Sequence, residues 1–220
     1  MLDKNNIKTP RQIRSEQTKN RIFEAAQELI KKYGFEYLTV KNICEVANVS
    51  NGTFYHNFGS KDELMSHYLV NGYQQYLEQI NDRESEPDFI KRILNIYTFY
   101  GRYCEKTGVD FIAKYYSTQN KALCRRDLAY HDAKDSEYNS IIVQTVHDLR
   151  RAKQDAQLKN EVDPASSAAD LCTMVKGIIF EWALNEGNLP LERTMKSILG
   201  TYLIGLSSNM YRQKFLKNDE

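Results

Sequence analysis

The residues best suited to recognition chemistry lie in the short run SNGTFYH, which begins at Ser50. The side-chain amide of Asn51 can both donate and accept a hydrogen bond, which a bidentate contact with a base edge requires. Gly52 has no side chain, so the backbone there can closely approach a large partner. Glycine inside a helix destabilises it by about 1 kcal/mol relative to Ala, and a close approach of the backbone to a partner would explain its presence here. Tyr55 and His56 can reach phosphate oxygens. The run therefore predicts contact with DNA.

Other chemistries lack their motifs in this sequence. HExxH, GxSxG and GxGxxG do not occur, and Leu206 stands where a phosphate-binding loop spaced on Gly200 and Gly205 would need lysine. The four histidines have no metal-site spacing, and the four cysteines form no close pair. We therefore expect no enzyme, no metal and no cofactor, and we expect reduced thiols in a cytoplasmic protein.

Three N-terminal helices are expected to position the recognition run. Prolines and glycines are sparse and apolar residues recur with a helical period, which predicts an all-α chain. The first helix is predicted over 14–33, with Gly34 at its end. Thr39 is predicted to cap a second helix over 40–47, and Ser50 a third that ends at Phe58.

Two short helices joined by a tight turn and braced by a longer one make a helix-turn-helix. The second short helix enters the major groove and the first crosses the backbone. Lys61, at the start of a fourth helix, can grip a phosphate together with the backbone amides there. Residues 1–14 are interpreted as a flexible basic arm. Whether Lys8, Arg11 and Arg14 reach the minor groove or stay solvated is left open.

The rest of the chain is predicted to be long helices with short breaks. We expect helices over 61–80, 88–106, 136–158, 164–185 and 191–215, with further helical content in 110–134. Residues 1–60 carry a net charge of +3 and the remainder −2, which suits a protein that presents one end to phosphates. We divide the chain into a DNA-binding domain, 1–60, and a helical effector-binding and dimerisation domain, 61–220. No secretory signal or bilayer-length apolar run is found, so no membrane association is expected.

The segment 22–64, and above all VSNGTFYHNFGSKDEL, resembles the DNA-binding domain of the TetR family of transcriptional repressors. One departure is Asn57, where an aromatic residue or histidine is more usual. Another is Asn160, where glycine is common. The resemblance implies DNA contacts by nine residues: Thr39, Lys41, Ser50, Asn51, Gly52, Thr53, Tyr55, His56 and Lys61. Thr39 and Ser50 can equally serve only as helix caps, and Tyr55 can partly pack.

The two last helices carry the broadest apolar stripes. One interpretation places both stripes in the core of a single subunit. The resemblance implies instead a four-helix interface with a second copy, part of each stripe serving the core. The residues predicted for that interface are Val175, Ile178, Ile179, Ile198, Leu199, Tyr202 and Leu206. A homodimer would set two recognition helices about 34 Å apart on a palindromic operator of double-stranded DNA.

The middle of the chain is rich in aromatic residues. Such side chains can line an apolar pocket with polar tips, although each is more often plain core. The predicted effector pocket is formed by Tyr97, Tyr100, Tyr103, Phe111, Tyr115 and Trp182. The resemblance implies a repressor that leaves its operator when an unknown small molecule binds there. The alternatives are an activator and a DNA-binding regulator without an effector.

Overall fold

The computed structural model describes residues 9–77, 86–117, 119–120 and 140–216, and these are helical with no strand. Two compact units divide within a long helix, after Leu69. The helices of the first unit are α1 (Pro10–Tyr33), a 3₁₀ turn (Phe35–Tyr37), α2 (Val40–Ala47), α3 (Asn51–Phe58) and the start of α4 (Lys61–Leu77). The all-α prediction is confirmed, and the proposed functional division after residue 60 stays a prediction.

Helix α1 begins earlier than predicted. Thr9 accepts a hydrogen bond from the backbone N–H of Gln12, and the Gln12 side chain accepts one from the backbone N–H of Thr9, which is a reciprocal capping box. Pro10 stands at the first helical position, where its missing N–H costs nothing. The predicted flexible arm is therefore wrong from Pro10 onward, because Arg11 and Arg14 lie on the helix. Lys8 lies outside the described residues.

Side-chain caps begin the two short helices as predicted. The Thr39 hydroxyl accepts from the Asn42 amide at 3.1 Å. The Ser50 hydroxyl accepts from the Thr53 amide at 3.1 Å. Between the helices Asn48 adopts a left-handed conformation, with φ 51°, which asparagine tolerates better than most residues.

The core of the first unit gathers one face of each helix. Helix α1 packs against both α2 and α3. Its stripe supplies Ile22, Ala26 and Leu29, and α2 and α3 add Ile43 and Phe54. All five are essentially inaccessible to solvent, so apolar burial holds the short helices in place.

The second unit contains the C-terminal end of α4 and the remaining helices. These are α5 (Phe89–Thr107), α6 (Val109–Tyr115), α7 (Ser140–Gln154), α8 (Pro164–Leu184), α9 (Leu191–Leu206), α10 (Asn209–Tyr211) and a π-helical turn (Arg212–Leu216). Asp88 and Asp163 cap α5 and α8 through their carboxylates. The predicted start of α7 near residue 136 and the predicted helix over 121–134 lie outside the described residues.

Helices α5 and α9 form the most extensive helix pair of the second unit. Their approach is close at Gly101, where an added Cβ would lie 3.0 Å from the Met195 sulfur. On the same helices Ile93, Ile96 and Leu199 are completely buried. Their packing makes α5 the central helix of this core.

The last predicted helix is wrong beyond Leu206. Ser207 leaves the helical conformation, with ψ 144°, and forms an isolated bridge to Leu158. The backbone N–H of Ser208 donates to the Gln157 carbonyl at 2.8 Å, and the Ser208 hydroxyl donates to the Ala156 carbonyl. These long-range hydrogen bonds replace those that a continuous helix would have made. Helix α7 also ends earlier than predicted, at Gln154.

No helix within the described ranges has the length and apolar character needed to cross a bilayer.

Candidate nucleic-acid interface

The recognition run lies on α3, and one face of this helix is packed against the domain core. Phe54 and Phe58 point into the core, with 0% and 3% of their surfaces exposed. Tyr55 is 52% exposed and packs edge-on against Phe54, with ring centroids 5.4 Å apart. His56 is also exposed. The helix therefore turns its aromatic anchors inward and leaves Tyr55 and His56 for a partner.

The first turn of α3 offers small polar groups and open backbone. Asn51 and Gly52 are exposed, and a Cβ added at Gly52 would meet nothing nearer than the Ser50 hydroxyl at 3.7 Å. The chain's own packing thus does not explain the glycine. Thr53 is half-buried, and its hydroxyl oxygen lies 2.9 Å from that of Ser50. This turn can meet a base edge without moving a bulky side chain.

The start of α2 supplies a second group of predicted contacts. Thr39 and Lys41 are exposed. The Lys41 ammonium lies 4.0 Å from the Glu45 carboxylate, and both side chains are largely solvated, so the pair restrains the lysine little. The Thr39 hydroxyl is used as a cap in the free protein, as the alternative interpretation anticipated. A phosphate at this helix start would meet the positive end of the helix dipole.

Lys61 stands at the first position of α4 and is half-buried. Its ammonium lies 4.7 Å from the centroid of the Phe35 ring. This cation–π contact restrains the position of the ammonium. The Ser60 hydroxyl accepts from the Glu63 amide at 3.1 Å, which is half of the predicted capping box. The sequence did not indicate Phe35, because the contact joins the 3₁₀ turn to the start of α4, 26 positions further along the chain.

Asn57 directs its amide inward along its own helix. Its Nδ2 atom donates to the Thr53 carbonyl at 2.8 Å, and the residue is half-buried. The Asn57 amide is therefore engaged within α3 in the free protein.

The six residues predicted for an effector pocket are all buried in the second unit. Tyr97, Tyr100 and Tyr103 lie on α5, Phe111 and Tyr115 on α6, and Trp182 on α8. Helix α6 packs on both α5 and α8. The predicted pocket thus stays a prediction, with its residues in one aromatic core.

Hydroxyl groups are paired within this aromatic core. The phenol oxygens of Tyr100 and Tyr116 lie 2.6 Å apart. The Thr145 hydroxyl donates to the Tyr97 phenol at 3.0 Å, which links α7 to α5. Burial raises the pKa of Tyr100 and of Tyr116 well above the usual range, so both phenols stay protonated. Burial likewise raises the pKa of the nearby Cys104 thiol. A guest entering this core would meet neutral donors and acceptors.

A cavity of about 320 Å³ lies elsewhere in the second unit. Its lining comprises Pro87, Arg151, Asp155, Gln157, Met210, Tyr211, Lys214 and Phe215. None of the predicted pocket residues lines it. Within the described ranges, no group of three His, Cys, Asp or Glu side chains could hold a metal ion.

The predicted interface residues divide between core and surface. Val175, Ile178, Ile179 and Leu199 are at most 5% exposed within a single chain, so they already pack inside the subunit. The others are Ile198, which is 45% exposed, and the half-buried Tyr202 and Leu206.

Further apolar residues of α8 and α9 are exposed in the single chain. They are Phe180, Leu184 and Ile204. A Cβ at Gly177 or Gly205 would meet nothing within 4 Å in the chain, so packing within the subunit does not explain these helix-interior glycines. The interface with a second copy stays a prediction. The surface available for it consists of the exposed apolar residues of α8 and α9.

Comparison with known proteins agrees with this geometry. Residues 22–68 match the family model described as "Bacterial regulatory proteins, tetR family". One curated relative, the HTH-type transcriptional regulator UidR of Escherichia coli, is 31% identical over 71 residues. That match covers 32% of this chain and 36% of the relative, so it spans about a third of each. Residues 22–68, within the first unit, therefore match the DNA-binding domain of TetR-family regulators.

Solved structures extend the likeness in fold to most of the chain. RolR in complex with resorcinol superposes with a TM-score of 0.57 at 15% identity, over 88% of this chain and 89% of the other. The FadR regulator of Bacillus subtilis in complex with stearoyl-CoA gives 0.53 at 17% identity, over 85% and 98%. At these identities the likeness concerns the fold alone.

Proposed function

We propose that this chain is a homodimeric transcriptional repressor of the cytoplasm that leaves a palindromic operator when a small molecule binds its second unit. The observation that carries the proposal is the presentation of α3. Its aromatic anchors are buried, while Asn51, Gly52 and Tyr55 are exposed. Such a helix can enter a major groove without rearrangement of its own domain.

The proposed DNA contacts divide by role. Asn51, Gly52 and Thr53 in the first turn would read base edges. Thr39 and Ser50, which cap α2 and α3, would hold phosphates near the amides of those helix starts. Tyr55, His56, Lys41 and Lys61 would also contact phosphates and so set register and affinity, because phosphate contacts position a protein without specifying sequence.

A homodimer is proposed because a single recognition helix reads too few base pairs to specify an operator. The exposed apolar residues of α8 and α9 supply a surface for a second copy. They surround helix-interior glycines whose cost, about 1 kcal/mol each, the single chain does not offset by packing. A two-fold pair would present two α3 helices to adjacent turns of the major groove.

The effector is proposed to be a small organic molecule held among the aromatic side chains of α5, α6 and α8. Paired phenols and apolar rings suit a guest with an apolar body and a few polar groups. Two proteins of similar fold carry resorcinol and stearoyl-CoA, so the fold accommodates organic guests of different sizes. A coupling of about 1–3 kcal/mol between the sites would release the operator.

The test begins with DNA. The full-length protein is used to select duplexes from a random-sequence library, and its affinity for the winning duplex is measured by fluorescence anisotropy at several salt concentrations. We expect a palindromic duplex. Lys41→Gln with Lys61→Gln should weaken binding and lower the salt slope by about 1 for each phosphate that the variant no longer neutralises. Lys106→Gln with Lys114→Gln, which removes two exposed charges from α5 and α6, is the matched control.

Failure to enrich any sequence would refute the DNA-binding proposal. A reporter gene placed behind the selected duplex then separates repressor from activator, because only a repressor lowers expression.

Resorcinol and stearoyl-CoA are the first effector probes. A compound that raises the melting temperature but leaves DNA affinity unchanged would contradict the proposed release.

A further inference from the structure

The last described segment of the chain folds back on the second unit and closes one side of the 320 Å³ cavity. After α9 ends at Ser207, residues 208–216 form α10 and the π-helical turn. The two hydrogen bonds from Ser208 to the carbonyls of Gln157 and Ala156 hold the start of this segment against the loop that follows α7. The segment lines the cavity with Met210, Tyr211, Lys214 and Phe215. The end of α9 at Ser207 thus creates this wall of the cavity.

The apolar part of the lining is built on an aromatic stack. The buried Tyr211 packs edge-on against Phe89, with ring centroids 4.9 Å apart. The half-buried Phe215 stacks on Tyr211, with centroids 5.0 Å apart. Met210 and Pro87 add exposed apolar surface beside these rings. The wall therefore offers a guest an aromatic ring and a flexible thioether, two groups that adapt well to an apolar body.

Buried polar groups around the cavity are already hydrogen-bonded. The Tyr211 phenol donates to the Asp88 carboxylate at 2.8 Å. The Gln157 side chain donates to the Pro87 carbonyl at 3.0 Å and accepts from the Phe89 backbone N–H at 3.3 Å. These bonds tie the C-terminal segment and the loop after α7 to the start of α5. The wall is thus formed in advance, and a guest would not have to order it.

Among the described residues that line the cavity, cations outnumber anions by two to one. The charged residues are Arg151, Asp155 and Lys214. The Arg151 Nε atom lies 3.9 Å from the Asp155 carboxylate, and the side chains are 39% and 49% exposed, so this ion pair is weak. The Lys214 ammonium lies 5.2 Å from the Phe215 ring centroid. Both residues belong to the π-helical turn, a rare conformation that is frequent at functional sites.

We propose that this cavity binds a small organic carboxylate with a single apolar ring, at a site separate from the effector pocket. The ring would pack against Tyr211 and Phe215. The carboxylate would pair with Arg151 and Lys214, because charge-assisted hydrogen bonds to carboxylates are strong. A volume of about 320 Å³ lies at the small end of the usual range for ligand sites, about 300–1,000 Å³, and this limits the guest to about one ring. The site goes beyond the proposed repressor function and does not depend on DNA binding.

Methionine methyl groups provide a local readout, because Met210 lines the cavity whereas Met195 is buried between α5 and α9. The chain has five methionines, so NMR of the full-length protein with labelled methionine methyl groups gives few signals. Met210→Leu assigns the cavity signal. The probes are phenylacetate, its neutral analogue phenethyl alcohol and its cationic analogue phenethylamine. We expect phenylacetate to shift the Met210 signal saturably and to bind about 10-fold more tightly than either analogue.

Two charge variants test the role of the cations. Arg151→Gln with Lys214→Gln should weaken phenylacetate binding at Met210 about 10-fold, because it removes both partners of the carboxylate. Lys31→Gln with Arg150→Gln removes the same charge from exposed positions outside the lining and should bind like the unmodified protein. Circular dichroism checks that both variants keep their helix content.

The proposal is supported if the Met210 shift prefers phenylacetate and is lost selectively in the Arg151 and Lys214 variant. The absence of a Met210 shift overturns it. Equal or tighter binding of phenethyl alcohol or phenethylamine also overturns it, because the two cations would then not select the guest. The same titration curve at Met195 and Met210 would place the guest in the helical core and refute the separate site. None of these measurements involves DNA, so the repressor proposal is tested independently.

Discussion

The hydroxyl of Ser50 accepts a hydrogen bond from the backbone N–H of Thr53 at 3.1 Å, and the two hydroxyl oxygens lie 2.9 Å apart. One side chain thus begins α3 and also orients the neighbouring threonine. Because a helix of eight residues has little stability of its own, the cap and the two buried phenylalanines together hold the recognition surface. DNA binding and domain stability are therefore linked at this position.

Substitutions at Ser50 should separate these two effects. Ser50→Ala should lower the free energy of unfolding by about 1 kcal/mol, because it removes the N-cap bond. Ser50→Asp keeps the cap and should retain stability within a few tenths of a kcal/mol, yet it should bind the selected duplex much more weakly, because it adds a carboxylate where phosphates are proposed to lie. Urea unfolding and anisotropy measure the two properties. Full DNA affinity in the aspartate variant would contradict the proposed placement of α3.

The exposed apolar residues of α8 and α9 should control self-association. Phe180→Glu with Ile198→Glu should give folded monomers with little specific DNA binding, because two charges would enter the proposed contact between copies. Light scattering gives the mass and circular dichroism the helix content. A charge at Ile178, another residue predicted for the interface, should instead unfold the chain, since that side chain is 5% exposed within the subunit. A dimeric mass for the Phe180 and Ile198 variant would refute this surface.

A buried ion pair links α5 to α7. The Arg92 Nε atom lies 3.4 Å from the Asp148 carboxylate, and the two side chains are 2% and 9% exposed. Arg92 also donates to the Glu86 carbonyl at 2.7 Å. Asp148→Asn should cost about 3–5 kcal/mol, because it leaves a buried guanidinium without its counter-charge.

The matched control for this pair removes both charges. Arg92→Met with Asp148→Leu should recover most of the stability, since desolvation of two ions offsets much of their attraction. Urea denaturation of Arg92→Met, Asp148→Leu, the double variant and the unmodified protein gives a double-mutant cycle. Equal destabilisation by the single and the double replacement would show that packing, and not charge, dominates at this site.

Alkaline pH should destabilise the protein through its aromatic core. Burial raises the pKa of Cys104, Tyr100 and Tyr116 above their values in the unfolded chain. Unfolded thiols and phenols release protons near pH 8.5 and 10, and the folded groups do not. The contribution to stability is therefore complete below about pH 8 and declines as pH rises further. The urea midpoint should fall between about pH 8 and 10.5, and less steeply in Cys104→Ala; a flat profile would contradict the burial of these groups.

Local sequence signals determined much of the DNA-binding unit. Thr39 and Ser50 as caps and Gly34 as a helix end were predicted because each acts within four residues of itself. The same logic applies at Thr9, where T-P-R-Q has the capping-box pattern, but the polarity of the segment favoured a flexible arm. That error removed Arg11 and Arg14 from the first helix.

The tertiary structure decided which apolar and charged groups that lie far apart in the sequence come into contact. The sequence showed that α8 and α9 are apolar, yet only packing separated buried Ile178 and Leu199 from exposed Ile198. It also could not anticipate that Ser207 would leave the helix, because the bonds that end it come from residues about fifty positions away. A cap is a local hydrogen bond that sequence spacing reveals, whereas burial and long-range pairing depend on neighbours that only the folded chain brings together.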